Sequence, residues 1–122
     1  MAWRRRKRRQ VRPMDTDDVI QQIVDTIRDQ YEPEKIILFG SRVWGKPHED
    51  SDLDVLVIKE SEAHEIDRMR EVSLLVEGFQ KRPHLLPLDI LVKTPSELQH
   101  RLAIGDDFIQ EIVARGRVAY ER

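Results

Sequence analysis

The chain has 122 residues, 36% of them charged and 39% apolar, with a net charge of -2. That length suits one domain with one modest core, and the composition argues against a membrane protein, since no apolar run approaches the roughly 20 residues of a spanning helix. There is no cysteine, which excludes disulfide frameworks, thiolate zinc sites and cysteine nucleophiles, and fits a reducing, cytoplasmic setting.

The charge is unevenly spread. Residues 1–13, MAWRRRKRRQVRP, carry seven basic groups and no acid, while the remaining 109 residues hold 14 basic and 23 acidic groups. The block of like charge predicts a disordered basic tail over 1–13 and a folded domain over 14–122. One reading of the tail is an arm for nucleic acid or an acidic partner. The preferred one is a solvated segment, or sequence upstream of a natural start at Met14. No apolar stretch follows the arginines, so they do not read as a secretory signal.

A helix is predicted over 15–31, with Asp15 or Thr16 as its cap and Asp17-Asp18 at the positive end of its dipole. Val19, Ile20, Ile23, Val24, Ile27 and Tyr31 recur at helical spacing and form its core face, and Pro33 ends it. Lys35–Phe39 reads as a first strand, Ser41–Gly45 as one helical turn, and Leu53–Ile58 as a second strand. That strand is apolar on both alternations, as an interior strand is. A longer helix is predicted over 61–81, capped by Ser61. Its core stripe is Ile66, Met69, Val72 or Ser73, Val76 and Phe79, with Glu62, Glu65, Asp67, Arg68 and Arg70 pointing elsewhere; Pro83 follows it. Leu88–Val92 is the third strand.

Thr94-Pro95-Ser96-Glu97 spells a capping box with proline at the first helical position, opening a helix to about Ile104. Gly105-Asp106-Asp107 breaks that helix and caps another, with Phe108, Ile109, Ile112 and Val113 facing inward and Gly116 at its end. Arg117–Tyr120 reads as a final strand. The order is mixed α/β (α+β). The first two strands are close enough in sequence to be antiparallel neighbours, and the second reaches the third through a helix. A small mixed β-sheet flanked by helices, packed on one side, is the economical arrangement.

The chemistry concentrates between Ile36 and Ile58. Asp52 and Asp54 are two apart at a strand start, so both point to one face, roughly 7 Å from each other. Paired carboxylates suit Mg²⁺, a hard cation that takes oxygen ligands and leaves room for phosphate oxygens. Asp89 stands among apolar residues on the next strand, where a carboxylate is costly unless paired; a metal or a hydroxyl to deprotonate would justify it. Three carboxylates on neighbouring strands suit a two-metal site. Gly40-Ser41 supplies a flexible backbone, N–H groups and a hydroxyl for phosphate. Arg42 and Lys46 are near enough in sequence to neutralise a triphosphate, and Gly45 lets the loop turn back towards Asp52. The combination points to a nucleoside triphosphate. His48, His64, His84 and His100 lack metal-ligand spacing, and Trp44 reads as a cover for the core.

These residues resemble the nucleotidyltransferases of the DNA polymerase β superfamily. Gly40-Ser41, ten residues and then Asp52-Leu53-Asp54 reproduce the family's GS-x10-DxD signature. Arg42, Gly45 and Ser51 fit the positions around it, and Asp89 stands where a third carboxylate is expected. Trp44 is bulkier than the residue usual there. The resemblance covers residues 15–120 and is closest to the minimal nucleotidyltransferases (MNT). It implies Mg²⁺ on Asp52, Asp54 and Asp89, two ions in all, and ATP as substrate. Its triphosphate would lie on Gly40, Ser41, Arg42, Gly45, Lys46 and Ser51, with Asp89 as base or second-metal ligand. It implies nucleotidyl transfer, in which a hydroxyl attacks the α-phosphate and pyrophosphate leaves. About 30 residues follow the third strand, short of an acceptor-binding domain, so a partner is expected to supply that wall. Minimal members are typically paired with a helical HEPN-type toxin, some acting as antitoxin by transferring AMP to a toxin tyrosine. The alternatives are a non-catalytic module that neutralises its partner by contact, and a nucleotidyltransferase acting on a small molecule or an RNA end.

Overall fold

A computed structural model describes residues 15–45, 52–82 and 84–122. The tail 1–13, Met14, Lys46, His48, Ser51 and Pro83 lie outside the described residues. The elements are α1 (Thr16–Tyr31), β1 (Lys35–Phe39), α2 (Ser41–Trp44), β2 (Leu53–Ile58), α3 (Glu65–Val76) followed by a 3-10 turn (Glu77–Gln80), β3 (Leu88–Lys93), α4 (Pro95–Ala103), α5 (Asp107–Arg115) and β4 (Arg117–Glu121).

The four strands form one sheet in the order β3-β2-β1-β4. β1 is antiparallel to both β2 and β4, and β2 is parallel to β3. Parallel pairing needs a crossover, and α3 supplies it. A register shift between Ile36 and Ile37 interrupts the β1–β4 pairing. Such an irregularity twists an edge strand away from further pairing.

α1 starts where its cap chemistry is best. Asp15 is the N-cap rather than Thr16: its carboxylate accepts from the Asp18 N–H at 2.9 Å, and Asp18 accepts from the Asp15 N–H at 3.3 Å. The helix stops at Glu32, which takes a left-handed conformation (φ 54°) ahead of Pro33. All six residues of the predicted stripe are buried.

Helices cover both faces of the sheet, not one. On the first face, α1 and α3 pack on Ile36, Leu38, Leu53, Val55, Val57, Ile90 and Val92. On the second, α4 and α5 pack on Ile37, Phe39, Leu56 and Ile58 through Leu98, Leu102, Ile109 and Ile112. Alternation along β1 and β2 assigns each residue to its layer. Two-sided cover explains why both strands are apolar at nearly every position.

Three expectations for the helices are corrected. α3 begins at Glu65, because the Ser61 hydroxyl instead accepts from the Ala63 N–H at 3.0 Å and makes a local turn. Within α3, Val72 and Val76 are buried but Ile66 is 61% exposed, and Arg68 is buried at 2% exposure. The buried guanidinium has a reason. It donates to Glu97 Oε1 at 2.6 Å and to the Ala63 carbonyl at 2.8 Å, tying α3 to the start of α4. Glu97 is also the capping-box residue of α4, accepting from the Thr94 N–H at 2.9 Å. In α5, Ile109 and Ile112 are buried, whereas Phe108 and Val113 are half-exposed. A nine-residue helix lying over one face of the sheet turns only one narrow stripe to the core.

Candidate active site

β1 delivers the chain to Gly40, and α2 starts immediately after. The Gly40 carbonyl accepts from the Val43 and Trp44 N–H groups at 2.9 and 3.0 Å, which closes the predicted helical turn. Gly40 has φ +87°, a conformation open to glycine and strained for other residues. There is a second reason for glycine. A Cβ at this position would lie 1.9 Å from Oδ2 of Asp54. The backbone of the turn and the carboxylate are thus packed directly against each other. Gly45 has an ordinary extended backbone, and its role is close packing on Ser41, whose carbonyl a Cβ would meet at 3.1 Å.

Strand pairing gathers the acidic residues. Asp54 is opposite Phe39 on β1 and opposite Asp89 on β3, and residues paired across strands share a face. Asp52 lies just before β2, two residues from Asp54. Asp52, Asp89 and Ser41 are exposed, while Asp54 is half-buried. Burial, then the charge of Asp89, then that of Asp52, pushes the Asp54 carboxyl up to about 6. Two further carboxylates therefore act on Asp54 at the mouth of the sheet.

Among the described residues, no three acidic or imidazole side chains converge on one point able to hold a metal ion. Asp54 and Asp89 form a facing pair, with Asp52 beside them. The donor set is all oxygen, so it fits a hard divalent cation that completes its shell with water and phosphate oxygens. Gly40, Ser41, Arg42 and Gly45 are brought to this end of the sheet by β1 and α2. The predicted contributions of Lys46 and Ser51 lie outside the described residues.

Trp44 covers, as expected: its ring lies 6.3 Å from that of Phe39 and under the Arg115 guanidinium, 4.8 Å away. Sequence reasoning missed the neighbours of this ring. Phe39 lies next to the carboxylates only through strand register, and Phe108 reaches Phe39 only through packing of α5. The immediate adjacency of Phe39 to Gly40 was the available signal.

The nucleotidyltransferase domain family model matches residues 20–117. No curated relative matches the chain. Among solved structures, a candidate nucleotidyltransferase from Sulfolobus solfataricus is similar at 22% identity, covering 85% of this chain and 78% of its own, with a TM-score of 0.57. A second candidate nucleotidyltransferase aligns at 21% identity over 83% of this chain and 97% of its own, with a TM-score of 0.45. The first likeness extends to the fold, a mixed sheet with helices on both faces. With the family model spanning α1 to β4, the chain belongs to the nucleotidyltransferase domain family.

Proposed function

We propose that the protein is an Mg²⁺-dependent nucleotidyltransferase that moves AMP from ATP to a hydroxyl, that of a tyrosine on a partner protein, and so acts as antitoxin to a HEPN-type toxin. The observation that carries the transferase reading is the facing pair Asp54–Asp89 beside a turn that only glycine fits. The minimal-family resemblance supports the protein acceptor. So does uncovered apolar surface: Val113 and Val118 are about half-exposed. They border a groove of ≈ 410 Å³ with Leu98 and Leu102, the kind of surface that marks a protein contact.

Asp52 and Asp54 are the residues that would hold Mg²⁺, with Asp89 for a second ion; when bound, the metal supplies neutralisation of the triphosphate. The turn at Gly40-Ser41 receives the phosphates through backbone N–H groups and the Ser41 hydroxyl, and Arg42 and Lys46 add positive charge. Asp89 takes the proton of the acceptor hydroxyl. The oxygen forms a bond to the α-phosphorus, the bond from that phosphorus to the bridging oxygen breaks, and pyrophosphate leaves with the electron pair. Positioning and charge stabilisation carry such a step.

The test is to incubate the protein with ATP, Mg²⁺ and the product of the adjacent gene, and to weigh the partner. One AMP should be added, on tyrosine. The adduct should vanish with chelator and with the Asp52→Asn/Asp54→Asn variant. A partner left unmodified by the wild type, or modified by the variant, overturns the proposal.

A further inference from the structure

The carboxylate face continues into an aromatic one. Asp89, Asp54 and Phe39 occupy consecutive strands at one register level, spaced about 4.8 Å apart. The Phe39 ring is buried and meets the Trp44 ring, tilted at 36°, and the Phe108 ring edge-on at 5.8 Å and 76°. Arg115 lies over Trp44. Phe108 is the open member of the group, 53% exposed although its ring is braced by Phe39. An uncovered phenyl group beside a polar site is apolar area that a planar ligand can remove from water.

A triphosphate on the Gly40-Ser41 turn has its α-phosphate at the carboxylates, and sugar and base must continue to one side of them. On the β1 side the strand register places Phe39 opposite Asp54, and Phe108 rests on Phe39. Resting on the nucleotidyl-transfer reading, we propose that Phe108 is the stacking surface for the nucleobase, with Phe39 fixing its orientation and Trp44 backing Phe39. Stacking uses the π-face that every base has. The site therefore discriminates weakly between bases, favouring purines by their larger area.

Calorimetry with Mg²⁺ tests this using two probes, α,β-methylene ATP and inorganic tripolyphosphate. The wild type should bind the nucleotide about tenfold more tightly than tripolyphosphate, the scale of one base stacked on one ring. Phe108→Ala should remove that advantage and leave tripolyphosphate binding unchanged, while Phe108→Tyr, which keeps the ring, should retain it. Equal affinity for both probes in the wild type overturns the assignment, as does a Phe108→Ala variant that keeps the advantage or loses only transfer to the protein acceptor. If neither probe binds the wild type, the nucleotide site itself is refuted, which distinguishes the two failures. Melting temperatures of the variants within a few degrees of wild type show that the half-exposed ring was removed without unfolding.

Discussion

Gly40 and Asp54 are packed directly against each other: a Cβ on residue 40 would stand 1.9 Å from the Asp54 carboxylate oxygen. The turn that would receive phosphate and the strand that carries the acid are thereby locked together. The positive φ of Gly40 makes the position doubly intolerant. Gly40→Ala should cost about 1–3 kcal/mol of stability through strain and steric displacement. It should also reduce nucleotidyl transfer by about 100-fold or more, since a shift of about 1 Å is enough for that. Thermal melts and transfer assays on the same preparation check both, and a variant with wild-type rates would show that Asp54 does not act from this position.

Asp54 itself should trade stability for function. Its folded-state pKa is raised to about 6 from an ordinary 3.8, chiefly by burial and then by Asp89 and Asp52. A raised pKa means the folded protein holds this proton more tightly than the unfolded chain. The stabilising contribution is then complete below about 3.8 and is lost as pH rises through about 6. Asp54→Asn should remove that pH dependence, raise the melting temperature at pH 7 in metal-free buffer, and abolish transfer. Melting curves from pH 4 to 8, with and without Mg²⁺, test it; a variant less stable than wild type at pH 7 would contradict the assignment.

Arg68 and Glu97 make the opposite kind of pair. Burial alone would raise the Glu97 pKa, but the Thr94 N–H and Arg68 outweigh it and hold the carboxyl below its ordinary value. The contribution of this carboxylate is present above about pH 4.5 and fades as pH falls through the lowered value. Glu97→Ala removes a capping-box acceptor and leaves a buried guanidinium without its counterion, so it should cost about 3–5 kcal/mol. Glu97→Gln, which keeps the acceptor, should cost clearly less and flatten the acid limb of the stability profile. Denaturant titrations at pH 7 and pH 4 separate the two.

Core and surface positions that look alike in sequence should respond very differently. Ile23 has no exposure and Ile66 is 61% exposed, although each sits on an apolar helical stripe. Ile23→Ala should destabilise by about 2–5 kcal/mol and Ile66→Ala by no more than about 0.5. Equal losses by urea titration would mean that the exposed face of α3 is covered.

Much of this protein was legible in its sequence because the signals were local. The bounds of β1 and the turn at Ser41, the extent of β2, the Thr94–Glu97 cap and the break at Gly105 each depend on a few adjacent residues, and each was read within a residue or so. The GS-x10-DxD spacing is local as well, and it singles out the candidate site without reference to the fold. What failed was what depends on distant neighbours. Ile66 looked like core and Arg68 like surface because helical periodicity does not say which stripe meets the sheet. The deciding fact is that Glu97, 29 residues on, offers Arg68 a counterion. Phe108 and Val113 read as inward for the same reason. The sequence by itself determined most of the elements, the two-sided apolar strands and which acidic, glycine and serine residues are candidates for a site, since dihedral preference, capping and strand alternation act over a few bonds. Only the tertiary structure decided that Asp89 faces Asp54 and that Gly40 packs on that carboxylate. It also decided that helices close both sides of the sheet, because strand order and register are fixed by burial summed over the whole chain.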